Sequence, residues 1–508
     1  MKKISLIFLC LYLFQANAEF VRAESAPGAT LLGGLVNPRL IHWLKANISP
    51  ATQLPYSFYI TPEERAGVYH NMGGQEAIEG VIERMMTHQG LNIYDGAVYQ
   101  IVLAMLGDEE SLARAFKLID IYWNATVGDL HNIRAGHPEN FFIYDPQSPK
   151  LVASDVMDYG RRGFIFRIIN ADGKFQGADP LDGKKFLSGF PNNSRLHWED
   201  WKPVAGENAW VTMAAMHLYK KKYDNPVFGY PQDEKIKELA LAKELARAAM
   251  ILQSEIGGVR MAPLGTHREL LKDEKGLWEQ GTWWYNQIST ENNISWYSAF
   301  RMLYEVTGNP EYKVAMNRIE DFLHFMWNPQ EGIFYQGATF RNGHWVPNRE
   351  HFALDVQTWS IVCFGPGLID QWFGEGTAFR IWQKAKEYSG VFDKHGNVLG
   401  VGFTGEHDRI SIEWSAGGLM ALQEIIKHYK EQSPALALEA ALDMYTMRRG
   451  MEILLKDVSP TQSAYSYSSQ RGWIPFGWNS HDPHVLSLAS TAWIIFVDAQ
   501  FNPFRLDP

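Results

Sequence analysis

Residues 289–300, Ser289-Thr290-Glu291-Asn292-Asn293-Ile294-Ser295-Trp296-Tyr297-Ser298-Ala299-Phe300, read as the start of a buried helix. Ser289 and Thr290 are cap residues, and Glu291 falls in the first turn. From Ile294 onward the stretch is apolar or small on nearly every face. A helix that is apolar nearly all round must be covered on both sides. Five other stretches share the pattern: YDGAVYQIVLAML around Asp95, ENAWVTMAAMHLY from Glu207, DVQTWSIVCF from Asp355, EWSAGGLMALQEI from Glu413 and SLASTAWIIFVDA from Ser487. All but the last carry an acid at the N-terminal edge. Buried helices with acids at the same end predict an inner ring whose carboxylates converge on one mouth. Converging carboxylates among aromatics are the usual equipment for cutting glycosidic bonds.

The sequence between these stretches supplies their partners. Amphipathic segments succeed five of them: Glu109–Trp123, Asp233–Ser254, Pro310–Trp327, Gly376–Tyr388 and Pro434–Leu455. Gln75–Thr87 is the sixth outer candidate. Six inner and six outer helices make an all-α (α/α)6 toroid; a helical solenoid is excluded by the irregular spacing of the repeats. Several inner-to-outer connections are short, whereas two, around Tyr223–Gln232 and Gly365–Gly374, are longer. Outer-to-inner connections are mostly long and aromatic, and several read as hairpins, including one around Arg162–Arg167 and one in GIFYQGATFRNGHWVPN from Gly332. The expected organisation is a signal peptide over 1–18, an extended arm over 19–60 and one toroid domain over 61–508.

Composition narrows the chemistry. The 508 residues carry a formal charge of −10, which argues against nucleic acid or an anionic membrane as the main partner. Aromatics make up 13%, with 18 Trp, well suited to stacking on sugars. Lys2 and Lys3, the apolar run Ile4–Phe14 and Ala16-Asn17-Ala18 form a secretory leader pattern, so a periplasmic or secreted protein is expected. Cys10 lies in that leader, leaving Cys363 in an apolar helix with no intramolecular disulfide available. No cofactor is expected and no metal-ligand spacing occurs; HDPH at His481–His484 comes nearest. There is no phosphate-cradling loop and no serine elbow.

The motifs STENNISWYSAF, FALDVQTWSI and EWSAGGLMAL, each behind a Gly- and aromatic-rich hairpin, resemble those of the six-hairpin glycosidases, as does the terminal TAWIIF…NPF. The resemblance spans about residues 65 to 505. It implies an (α/α)6 toroid and a carbohydrate-active enzyme, with the sugar left open.

Two carboxyl groups are needed, one to protonate the leaving oxygen and one to activate water or attack. An acid at a helix start ordinarily just complements the helix dipole. Five in one ring repel one another, which function or buried partners must offset. Neighbouring helices lie roughly 8–10 Å apart, so acids on adjacent N-termini suit the roughly 6.5–9.5 Å of an inverting pair. That favours Glu291 with Asp355, or Asp355 with Glu413. Glu291, just after Trp283-Trp284-Tyr285, fits the acid; Asp355 is then the base and Glu413 the reserve. Asp95 and Glu207 complete the ring as substrate-binding candidates. Trp201, Trp278, Trp283, Trp284, Tyr285, Trp345, Trp473 and Trp478 are the candidate sugar platforms, while Trp296, Trp359, Trp414 and Trp493 belong to the core. Three rivals remain: a polysaccharide lyase using Tyr159, Arg161 and Arg162, a sugar epimerase, which the leader disfavours, and a glycan-binding protein without catalysis.

Overall fold

The computed structural model describes residues 36–60, 90–126, 163–165, 167–172, 198–200, 203–223, 230–233, 235–262, 284–476, 478–481 and 483–506. Among these, the helices in chain order are α1 (Pro38–Ala46), α2 (Ile93–Leu106), α3 (Glu109–Ala125), α4 (Ala205–Lys222), α5 (Lys237–Ile251), α6 (Thr290–Thr307) and α7 (Pro310–Met326). They continue with α8 (Leu354–Phe364), α9 (Pro366–Phe373), α10 (Thr377–Ser389), α11 (Ile412–Gln432), α12 (Pro434–Met451) and α13 (Leu488–Ala499). The stretches read as inner helices are α2, α4, α6, α8, α11 and α13. Each packs against the next in that order, and α13 returns to α2, closing the ring. Their burial matches the all-round apolar reading: every residue of α8 is buried.

The outer layer comes from one-sided patterning. On α7 the buried residues are Tyr312, Ala315, Met316, Ile319, Phe322, Leu323 and Met326, a single stripe at helical spacing that faces α6. In the same way α3 covers α2, α5 covers α4, α10 covers α8, and α12 covers α11. The expected sixth outer helix, Gln75–Thr87, lies outside the described residues. The place beside α13 is taken by α1, from the segment expected to be an extended arm. Asn37 caps α1 and Pro38 opens it, a start signal that the Gly- and Pro-rich surroundings obscured. Gly365–Gly374, read as a connection, contains the extra helix α9.

Short antiparallel strands gather where the chain enters the inner helices. Gly90–Asn92 runs directly into α2, Gln287–Ser289 into α6 and Leu486–Ser487 into α13. The last strand residue caps each helix: Asn92 accepts from the Tyr94 amide at 2.9 Å, Ser289 from Asn292 at 3.3 Å and Ser487 from Ser490 at 3.1 Å. Two of the expected hairpins form, Gly337–Arg341 with His344–Pro347 and Gly390–Phe392 with Val398–Val401. The one expected around Arg162–Arg167, with a turn at Ala171-Asp172-Gly173, lies partly outside the described residues; Ile168–Asn170 runs into a turn at Ala171-Asp172 and lies between Gly90–Asn92 and Trp198–Asp200 in a three-stranded sheet.

Polar residues inside the inner helices tie these entrances down. Asn208 takes the amide of Ile165 at 2.8 Å and gives to its carbonyl at 3.0 Å. Asn293 does the same to Val259 at 2.7 and 3.1 Å, and Gln357 to Phe334 at 3.0 and 2.8 Å. Ser415 grips Val401 with one hydroxyl, at 2.9 and 3.1 Å. Each clamp satisfies both backbone groups of a buried loop residue, which would otherwise be costly to bury.

The interior of the ring is filled by indoles. Trp210, Trp359 and Trp493 come from α4, α8 and α13, and their ring centroids lie 5.3, 5.6 and 5.2 Å apart. Phe504, from the C-terminal tail, packs against all three at 5.2, 5.6 and 6.3 Å. The tail is held at the C-terminal ends of the inner helices. His217 Nε2 meets the Pro503 carbonyl at 2.8 Å, Arg301 donates to the Phe504 carbonyl at 2.8 Å, and Asn502 donates to the Val362 carbonyl at 3.0 Å. One end of the ring is thereby plugged, and the acidic end is left as the mouth. Replacing fully buried Phe504 by Ala removes the plug and should cost about 3–5 kcal/mol of stability. A shift of the urea midpoint with red-shifted tryptophan emission is the expected readout; an unchanged midpoint would place the tail outside the core.

Candidate active site

Five acids stand in the first turn of their inner helices: Asp95 on α2, Glu207 on α4, Glu291 on α6, Asp355 on α8 and Glu413 on α11. Asp95, Asp355 and Glu413 are buried, and Glu207 and Glu291 are partly so. They feel one another electrostatically. Glu291 is influenced by Asp355, Glu207 and Glu413, and Asp95 by Glu413 and Glu207. Such mutual influence places all five helix starts at the same end of the ring. Among the described residues no three His, Cys, Asp or Glu side chains are close enough to hold a metal ion.

Their environments separate them. Burial, with the charges of Asp355 and Glu207 next in size, pushes the Glu291 carboxyl well above its usual range. The Ser295 hydroxyl donates to it at 3.1 Å and opposes this only in part. Asp355 is raised by burial to about 7, although the Val356 amide donates to its Oδ1 at 2.8 Å. Burial likewise lifts Glu413 to about 7 against the hydrogen bond from the Tyr94 hydroxyl, and Asp95 to about 8 against one from Ser57. Glu207 is the exception in having a fixed cation: Arg167 Nε lies 2.8 Å from its Oε1. Glu291 and Asp355 stand on adjacent helices, and the charge of Asp355 helps raise Glu291. An upward shift of this kind is what a proton donor needs.

The aromatic expectations divide. Trp278 and Trp283 lie outside the described residues, as do Trp201, Tyr159, Arg161 and Arg162. Trp473 is 49% exposed on the hairpin Gly472–Ile474/Trp478–Ser480 and has an open face for a ligand. Trp478, on the same hairpin, donates through Nε1 to the Tyr467 hydroxyl at 3.0 Å, and Tyr467 lies within the field of Glu413, Asp95 and Asp355. Trp284 is partly buried. Trp345 departs from the expected open platform. It is 6% exposed, its Nε1 donates to Glu255 at 2.7 Å, and the Arg260 guanidinium sits 5.0 Å from its ring. The same guanidinium lies 4.2 Å from Tyr285, so the cation takes the ring face that a sugar would need. Trp296, Trp359, Trp414 and Trp493 are buried as expected. His481 is buried between Phe58 and Tyr467, and burial lowers its pKa to about 3.

Four contributors had escaped the sequence reading: Tyr94, Tyr467, Arg167 and Ser57. Tyr94 precedes Asp95 in the very motif that drew attention to the acid. Arg167 closes the segment read only as a hairpin. Ser57 and Tyr467 reach the mouth from segments distant in sequence; Phe58, next to Ser57 in the chain, and Phe403 both pack on Tyr467, at 5.6 Å.

The raised acids make stability depend on pH. Asp95, Asp355 and Glu413 keep their protons to about 8, 7 and 7 in the native state, whereas an unfolded chain loses them at about 4. The native state therefore binds more protons between those limits. The stability these groups contribute is complete below about pH 4 and is lost as pH rises towards 8. The urea midpoint of the wild type should fall from about pH 5 to about pH 8, and Asp95→Asn should flatten that decline. Equal slopes for the two proteins would show that Asp95 titrates as an ordinary exposed acid.

No family model matches the chain, and no curated protein matches it in sequence. Solved structures match it across nearly their whole length. A sugar epimerase from a ruminal bacterium aligns at a TM-score of 0.52 and 11% identity, over 93% of this chain and 98% of that one. A cellobiose 2-epimerase from Bacillus thermoamylovorans B4167 aligns at 0.50 and 10%, over 92% and 99%. A D-mannose isomerase aligns at 0.50 and 10%, over 94% and 99%. At such identity the likeness is one of architecture, and it agrees with the closed ring and the inner motifs: the chain has an (α/α)6-toroid fold.

Proposed function

We propose that this protein is an exported glycoside hydrolase that cleaves an oligo- or polysaccharide with two carboxyl groups, by inversion and without a cofactor. One observation carries the reading: Glu291 and Asp355 stand at the first turns of adjacent inner helices, close enough that the charge of Asp355 helps push the Glu291 carboxyl up. Glu291 is the general acid that protonates the glycosidic oxygen. Asp355, whose Oδ1 takes a backbone amide, is the base that draws a proton from the attacking water. Neighbouring helix axes roughly 8–10 Å apart suit the wider carboxyl spacing of inversion. Trp473 and Trp478 supply stacking surfaces, with Trp284 and the outlying Trp278 and Trp283 as further candidates. The leader pattern at residues 1–18 supports export, and no helix among the described residues is long and apolar enough to cross a membrane.

A second reading is favoured by a specific observation. Two sugar epimerases and a sugar isomerase are among the solved structures that align at a TM-score of 0.50 or above. Product analysis separates the two. Hydrolysis yields shorter sugars and a new reducing end for each bond cut. Epimerisation or isomerisation returns a sugar of unchanged mass. A lyase would leave an unsaturated product that absorbs in the ultraviolet.

On a glycan that the wild type cleaves, Glu291→Gln and Asp355→Asn should each lose at least about 10²–10⁴ in rate. Both variants should fold, because removing one acid from a crowded mouth relieves repulsion. Near-wild-type turnover in either variant removes that residue from the pair, and Glu413 takes its place. Proton NMR of the first product formed should show the anomer opposite to that of the substrate; the same anomer would refute inversion.

A further inference from the structure

The sixth inner helix, α13, is the one that begins without an acid, and what stands there instead is a hydrogen-bonded relay. Trp493 Nε1, on α13, donates to the Tyr94 hydroxyl at 2.7 Å, and Tyr94, on α2, donates to Glu413 Oε1 on α11. In the ring α13 lies between α11 and α2. Tyr94 therefore crosses over the acid-free helix start to reach a carboxylate two helices away. Its ring lies edge-on to Trp210 at 5.2 Å and tilted over Trp359 at 6.5 Å, so it rests on the indole layer that floors the mouth. A hydroxyl has one proton to give. With Trp493 occupying a lone pair, that proton is committed to Glu413. Glu413 Oε2 accepts no hydrogen bond from the described residues.

We propose that Tyr94 is a positioning residue: held from below by Trp493, it fixes Oε1 of Glu413 and leaves Oε2 turned to the substrate. The proposal rests on the reading of this mouth as the catalytic site and adds to it. Glu413 becomes a third working carboxylate, oriented by two aromatic side chains. A bond donated to a carboxylate favours its ionised form. Burial and the charge of Asp355 on α8 act the other way, and Glu413 in turn raises the groups that face it, Glu291 on α6, Asp95 on α2 and Tyr467 beside them. Tyr94 thus opposes, in part, the protonation that burial and Asp355 favour at Glu413.

Infrared difference spectroscopy of the carboxyl groups against pH tests this without any substrate. The titration missing from Glu413→Gln identifies Glu413. In Tyr94→Phe, which removes only the hydroxyl, that titration should rise by roughly one pH unit, a tenfold change in the ionisation equilibrium. In Trp493→Phe it should rise by less, because the hydroxyl keeps its acceptor but loses its support. On a cleaved glycan, the acid limb of the pH–rate profile should move up with it in Tyr94→Phe, with kcat falling more than KM changes. A Glu413 titration that stays in place or falls in Tyr94→Phe overturns the proposal, and so does an unmoved titration in Trp493→Phe should the first variant not fold. If no glycan is cleaved, the hydrolase reading fails while the infrared result still decides the link between Tyr94 and Glu413.

Discussion

A ring of six helices encloses a space that the helices themselves do not fill, and everything else in this protein depends on how that space is closed. Apolar helices in a ring need partners on their inward faces as well as on their outward ones. Trp210, Trp359 and Trp493, drawn from alternate inner helices, meet at the centre, and Phe504 backs them from the tail. Because the plug enters at the C-terminal ends, the N-terminal ends are the ones left open. The open end is then also where the helix dipoles are positive and unsatisfied amides point, which is the end that favours carboxylates. A packing solution thus decides where the chemistry stands.

The same arrangement confines several acids in one place, and each is reconciled with its neighbours differently. Glu207 has Arg167. Asp355 has the Val356 amide. Glu413 has Tyr94, and Asp95 has Ser57. Glu291 has only the Ser295 hydroxyl among the described residues and is pushed well above the usual carboxyl range. The groups are alike in type and in position on their helices, so their different proton affinities come from what surrounds them. Removing a carboxylate's partner in such a site is more disruptive than adding one, since an unpaired buried charge is the costly state.

Much of this was legible in the residues themselves. The inner helices are written as unbroken apolar and small runs, and an acid behind a cap, as at Ser289-Thr290-Glu291, marks both a helix start and the mouth. The amphipathic stripe of Pro310–Met326 declares an outer helix with the same clarity. What stayed hidden depends on long-range contact. Trp345 looks like any loop tryptophan until Glu255, ninety residues earlier, takes its indole N–H. Tyr94 reads as an aromatic beside an acid, and only ring closure brings Trp493 and Glu413, 399 and 319 residues on, to its hydroxyl. The helix α1 hid for another reason: its partner α13 is at the far end of the chain, so its stripe had no neighbour in sequence to suggest it.

The clamps formed by Asn208, Asn293, Gln357 and Ser415 hold their loops by peptide groups alone. A grip on backbone is blind to the side chains of the segment it holds. The long connections at the mouth can therefore exchange residues, lengthen or take on new aromatic surfaces without loosening their anchorage, provided one extended residue still presents its N–H and C=O to the waiting amide. In this architecture the ring behaves as a socket with a standard fitting, and the specificity of the mouth is free to drift while the frame beneath it stays the same.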